Sequence, residues 1–264
     1  MNPLYQKDNC TPSYQLRWSL DLFAITTLPP SSAWVDSLRD VIERDGIRLL
    51  EHTQESNVVR LLLSTQPSVA PSQIVKLVKG RLQHLLKTSV PKAFRRNFSL
   101  TSIGDAHRKE IESYVSSQLG HHPLADRRVE QRFQAFQFAF LDVDPSAAQF
   151  SSHGRYIYGL HLVLVNDARW REIREDQLVT TRDMFFKSAH KKSHRVSRLA
   201  ILPDHLHATL GCNFDESPEE VALGYMNNLA FAHGMKKIFS FSYYVGTFGH
   251  YNMQAVRRRL LLDT

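Results

Sequence analysis

The chain has 264 residues, with 33 Lys plus Arg against 26 Asp plus Glu, a net charge of +7. That excess suits a polyanionic partner, and the length holds one large or two small domains. The two cysteines, Cys10 and Cys212, match no zinc or redox spacing, no apolar run nears the roughly 18 residues of a membrane span, and Met1 to Ser13 carries no signal-peptide core, so a reduced, cytoplasmic protein with no membrane partner is expected.

Tyr14 to Thr26 alternates large apolar with polar residues and predicts a strand, broken by Pro29-Pro30. Ser31 or Ser32 then caps a helix to about Arg44, with Trp34, Leu38, Val41 and Ile42 on one face. Ile47 to Glu51 and Val58 to Ser64 read as two strands joined by a polar turn. Pro71-Ser72 starts a helix to about Thr88, Phe98 to Ile103 is a strand, and Ala106 to Leu119 a further helix. The order β-α-β-β-α-β-α is a split ferredoxin-like plan. His121-His122-Pro123 closes that unit, the adjacent histidines reading as a solvated helix end. The stretch to about Arg155, with Phe133, Phe136, Phe138 and Phe140, is expected to be a packed connector, turn-rich from Asp142 to Gly154.

The plan then repeats. Tyr156 to Val165 is a strand, Asp176 to about His190 a helix, and Val196 to Leu202 and His205 to Cys212 are paired strands. Ser217-Pro218-Glu219-Glu220 opens a helix that runs to about His233 and stops at Gly234. Phe239 to Thr247 is a strand, and Asn252 to Leu262 a final helix. Phe98 to Gly104 aligns with Tyr243 to Gly249. The expected class is α+β: two tandem ferredoxin-like domains, 13–119 and 156–264, joined by a 120–155 connector and arranged as a pseudo-dimer.

Within Leu202-Pro203-Asp204-His205-Leu206-His207, the histidines lie two apart on a strand and project from one face, with Leu206 turned inward. Such a pair is either part of a divalent-metal site or two half-buried histidines that satisfy each other through water.

That motif resembles the histidine strand of the single-tyrosine HUH transposases, the insertion-sequence 200/605 type. Tyr244 to Gly249 resembles the family's last strand. The following helix, Gln254 to Leu260, places Arg259 where the family has its tyrosine. The first half resembles the same family in reverse. Glu112 to Gln118 contains Tyr-x-x-x-Gln, and Tyr114 follows Gly104 at the spacing by which Arg259 follows Gly249. Val58 and Arg60 stand where the histidines belong.

The resemblance implies one composite site. Tyr114 would be the nucleophile, and His205, His207 and Gln118 the ligands of Mg²⁺ or Mn²⁺. The product would be a 5′-phosphotyrosine link and a free 3′-hydroxyl. Tyr114 and Gln118 are four apart and share a helix face. Tyr251 is the alternative nucleophile. No acidic residue falls between Asn57 and Gly104, where Arg60, Lys76, Lys79 and Arg81 lie; Lys191, Lys192 and Arg195 cluster before the histidine strand. These cations are the expected contacts to single-stranded, hairpin-containing DNA. Two readings stay open: a metal-dependent strand transferase, and a transposase-derived hairpin binder without chemistry. The chain is expected to be a monomeric pseudo-dimer or to self-associate further.

Overall fold

The computed structural model describes residues 3–55, 57–121 and 126–249. Eighteen strands and α-helices are described, in the order β1 (Thr11–Gln15), β2 (Arg17–Ala24), α1 (Val35–Glu43), β3 (Ile47–Gln54), β4 (Val58–Thr65), α2 (Pro71–Leu86), β5 (Phe94–Ile103), α3 (Arg108–Ser117), α4 (Arg127–Gln134), β6 (Gln137–Ala139), β7 (Gln149–Phe150), β8 (Gly154–Ile157), β9 (Gly159–Val165), α5 (Glu175–Lys191), β10 (Arg195–Ile201), β11 (His205–Gly211), α6 (Pro218–Ala232) and β12 (Ser242–Thr247). The expected final helix, with Tyr251 and Arg259, lies outside the described residues.

The strands form two six-stranded sheets. One runs β3-β4-β2-β5-β8-β7 and the other β1-β12-β9-β11-β10-β6. Strands β2 to β5 in the first sheet and β9 to β12 in the second are antiparallel throughout. In both, the unit's first strand sits between its third and its fourth, the order expected of a ferredoxin-like α+β unit. Period-two patterning explains the layers. Val59, Leu61 and Leu63 on β4 are buried, as are Leu206, Ala208 and Leu210 on β11.

Local signals behave as their chemistry dictates. Ser217 caps α6: its Oγ accepts from the Glu220 N–H at 3.2 Å, and a Glu220 carboxylate oxygen accepts from the Ser217 N–H at 2.8 Å. Gly234, at φ +72°, follows the end of that helix. The expected Ser31 or Ser32 cap is corrected. Ser31–Ala33 forms a 3₁₀ turn and Trp34 occupies the cap position with no side-chain hydrogen bond. The buried Trp34 ring, edge-on to His52, sets the entry of α1 through packing.

The connector is more structured than its sequence predicts. It contains α4, with Phe133 and Phe136 buried, and β6, which joins the edge of the second sheet beside β10. Strands β7 and β8 join the edge of the first sheet. These pieces are too short to carry a periodic signal and exist because a longer edge strand is present to pair with.

The two sheets are tied together reciprocally. β1 pairs in parallel with β12 of the second sheet, and the chain passes through Leu16 into β2 of the first. β8 pairs in parallel with β5 of the first sheet, and the chain passes through Tyr158 into β9 of the second. At the junction the Arg17 N–H donates to Thr247 Oγ1 at 2.8 Å, and the Gly159 N–H donates to Ser102 Oγ at 2.9 Å. Thr247 Oγ1 donates to the Ile103 carbonyl at 2.7 Å, and Ser102 Oγ to the Phe248 carbonyl at 3.1 Å. Gly104 lies against the Thr247 carbonyl and Gly249 against the Ser102 carbonyl, each too close for a side chain. These contacts come in matching pairs, one from each sheet to the other. Thr247→Val leaves the half-buried Arg17 amide and the buried Ile103 carbonyl without this partner. A loss of about 2 kcal/mol is expected, read as a Tm lower by roughly 4–8 °C in thermal unfolding.

Candidate active site between the two sheets

His205 and His207 stand on β11 with their rings on the face opposite the Leu206 core, their centroids 4.9 Å apart. Both are buried. His205 Nδ1 lies 2.7 Å from Asp204 Oδ1, and Arg169 donates to the other carboxylate oxygen, Asp204 Oδ2, at 3.2 Å. A carboxylate on one ring nitrogen fixes the tautomer and turns Nε2 outward as the acceptor. That is the usual support of a metal-binding histidine, so His205 fits the ligand role the sequence suggests.

A third histidine joins the pair. β9 runs antiparallel to β11, with His207 opposite Val163 and Thr209 opposite His161. His161 is therefore the diagonal neighbour of His207 on the same face. Its Nε2 lies 3.0 Å from His207 Nδ1, and the rings stack at 5.3 Å and 16°. Burial pulls the His161 pKa down to about 4, so its ring is neutral at pH 7. Sequence reasoning missed His161. Its only signal was a polar residue inside the apolar run Tyr156 to Val165.

The tyrosine helix comes from the other unit. α3 follows β5 of the first sheet, yet it packs on β10 and β11 of the second. Its Tyr114 ring stands edge-on to His207 at 5.7 Å and 81°, and to His161 at 6.1 Å and 84°. Tyr114 is 47% exposed. Gln118 is buried one turn further on, and its Nε2 donates to the Tyr114 carbonyl at 3.1 Å. That bond leaves Oε1, the atom suited to a hard cation, as the remaining acceptor. Among the described residues no cluster of three or more His, Cys, Asp or Glu has metal-binding geometry. A second tyrosine, Tyr244 on β12, sits 5.7 Å from the His161 ring, and burial raises its pKa.

A buried ionic chain docks α3. Glu112 lies between Arg108 of its own helix, at 2.9 Å, and Arg198 of β10, at 3.6 Å. Arg108 continues to Asp144 of the connector at 2.7 Å. Removing one partner of a buried pair costs about 3–5 kcal/mol. Arg198→Met should cost less, about 2 kcal/mol, because Arg108 still pairs with Glu112. Hydrogen exchange should show the loss as faster exchange confined to the amides of α3.

The register also locates the counterpart of this site in the first sheet. Arg60 lies opposite Asp21 on β2, as His207 lies opposite Val163 on β9. Arg60 Nε bonds Asp21 Oδ1 at 2.7 Å. Other expected phosphate contacts have intramolecular partners too. Arg81 pairs with Asp45, Lys192 with Glu216, Lys79 Nζ reaches the Arg96 carbonyl at 2.9 Å, and Arg195 the Asp144 carbonyl at 2.7 Å. Lys76 and Lys191 are exposed. A run of cations in sequence does not reveal which carboxylates and carbonyls the fold brings to them.

Fold and site thus define an α+β protein of two sheets, with a histidine and tyrosine cluster assembled between them. Residues 31–118, about a third of the chain, match the family model described as "Transposase IS200 like". The chain is also similar to the solved structure of a REP-associated tyrosine transposase bound to a REP hairpin, at 14% identity and a TM-score of 0.29. That likeness covers 39% of this chain and 61% of the other, less than two thirds of its length. A putative glycine cleavage system transcriptional repressor is similar at 10% identity and a TM-score of 0.23, covering 89% of this chain and 99% of that one. No curated protein matches. Among the described residues no helix is long and apolar enough to cross a membrane.

Proposed function

We propose that this chain is a single-stranded DNA transposase or strand transferase with one composite active site, made by fusion of two transposase-like units. The observation that carries the reading is the seating of Tyr114, from the first unit's helix, against His207 and His161 of the second unit's sheet. The tyrosine-bearing unit has an Arg60–Asp21 pair where histidines would stand, so its tyrosine has use only at the other sheet. The matching strand orders and reciprocal junction contacts support the fused-pair origin.

In this reading Tyr114 Oη attacks the scissile phosphorus. The new bond is a 5′-phosphotyrosine ester, and the bond to the 3′ oxygen breaks. Tyr114 gives up its proton and the leaving 3′ oxygen takes one up, so the proton count is unchanged. The ester conserves the bond energy for rejoining to another strand. His205, His207 and the Gln118 amide oxygen would hold Mg²⁺ or Mn²⁺, an imidazole and oxygen set suited to these ions. A bound ion would polarise the phosphate and stabilise charge developing on it. Asp204 orients His205, and neutral His161 orients His207. Exposed Lys76 and Lys191, with Arg60, Lys79, Arg81, Lys192 and Arg195 where DNA displaces their present partners, would bind the backbone.

The test is incubation of the whole chain with hairpin-containing single-stranded DNA and Mn²⁺, followed by a denaturing gel. A covalent protein–DNA adduct is expected, and absence of adduct with every divalent ion would leave a hairpin-binding protein without chemistry.

A further inference from the structure

A cavity of about 410 Å³ lies on the core side of the second sheet, and His205, at the start of β11, is among its lining residues. Its floor is apolar, built from Leu178, Leu206 and Phe239, all buried in the second unit's core. Its wall carries Gln177, Thr181 and His233. The His233 ring spans the other two, with Nδ1 3.0 Å from Gln177 Oε1 and Nε2 2.9 Å from Thr181 Oγ1. Both ring nitrogens of His233 are thereby used, so the wall offers the Gln177 amide and the Thr181 hydroxyl, held in place by the imidazole. Lys236 stands among the lining residues.

Trp170 also lines this cavity, and it is 69% exposed. The other two tryptophans, Trp18 and Trp34, are buried. The turn that presents Trp170 is strained. Ala168 and Arg169 both adopt left-handed backbone angles, φ +48° and +55°, which residues with a Cβ rarely adopt. Strain of this kind persists where the surroundings enforce it, and it gathers at binding sites. An indole on a strained turn beside a half-polar cavity is built to stack on a flat ring. The volume lies within the range of small-molecule sites.

We propose that this cavity receives one unpaired nucleobase of the single-stranded DNA, stacked on Trp170 and hydrogen-bonded by Gln177 and Thr181, which His233 holds in place. The proposal rests on the single-strand reading above and deepens it. His205 lines the cavity as well as belonging to the candidate site, so a base held there would bring the strand to the end of β11 that carries His205. Every base has a π-face, so the stack itself tolerates any sequence, and base preference falls to the polar wall.

The test compares two fluorescein-labelled twelve-mers with equal backbone charge, oligo-dT and its wholly abasic analogue, bound to the full chain. Oligo-dT should quench tryptophan emission and bind roughly tenfold more tightly than the abasic strand, the effect of one base–aromatic stack. Trp170→Ala should bring both strands to the abasic affinity, measured by anisotropy. The side chain is exposed, so this substitution spares the core. Phe150→Ala removes another exposed aromatic, one that does not line the cavity, and should leave the ratio unchanged. An unchanged ratio in Trp170→Ala, or a loss equally produced by Phe150→Ala, overturns the pocket. The adduct assay reports separately. An adduct with Trp170-independent binding removes the pocket and keeps the chemistry. A Trp170-dependent base effect without adduct keeps the pocket and removes the chemistry. No binding of either strand overturns both.

Discussion

Tyr114→Phe is expected to lower formation of the covalent DNA adduct at least ~10³-fold, to background, while leaving DNA affinity within about twofold of wild type. The substitution removes one oxygen and keeps the ring that packs against His207 and His161. The docking of α3 depends instead on Glu112, Arg198 and Arg108, so the helix stays in place. Tyr244→Phe is the matched control. That tyrosine is also near His161, but burial raises its pKa and makes it the poorer nucleophile, so the adduct should survive. An adduct that persists in Tyr114→Phe places the nucleophile elsewhere, with Tyr244 and Tyr251 the next to replace.

The second large effect is expected from His205→Ala. It should weaken Mn²⁺ binding more than ~100-fold and abolish cleavage, because it removes one of the two imidazoles proposed to hold the ion. Calorimetric titration with Mn²⁺ reads the metal directly, without reference to activity. Asp204→Asn should have a smaller effect, about 10–100-fold, since it keeps the ligand and loosens only its orientation. Equal Mn²⁺ affinity in wild type and His205→Ala would remove the histidine pair from the site.

The first of these variants tests a contact between units, the second a motif within one strand, and the two differ in how far sequence could reach. Alternation along Leu206, Ala208 and Leu210 is a local property, and so is the outward direction of His205 and His207. The capping box at Ser217 and Glu220 is written within four residues, and the structure forms it there. The four-residue spacing of Tyr114 and Gln118 is equally local. These features depend on backbone geometry alone, and the sequence by itself determined them.

Tertiary structure decided the rest. His161 enters the site only because β9 pairs with β11 in a register that makes it the diagonal neighbour of His207, a relation across 46 positions of chain. The strained turn before Trp170 comes from backbone angles that Ala168 and Arg169 would not choose unaided. Arg60 carries the same charge in sequence whether it faces solvent or Asp21, and the pairing of β2 with β4 makes the choice. The docking of α3 on the opposite sheet rests on Glu112 meeting Arg198, and no periodicity within the helix encodes its partner. Local rules set which way a side chain points; long-range strand pairing and the burial of charge set what it meets there.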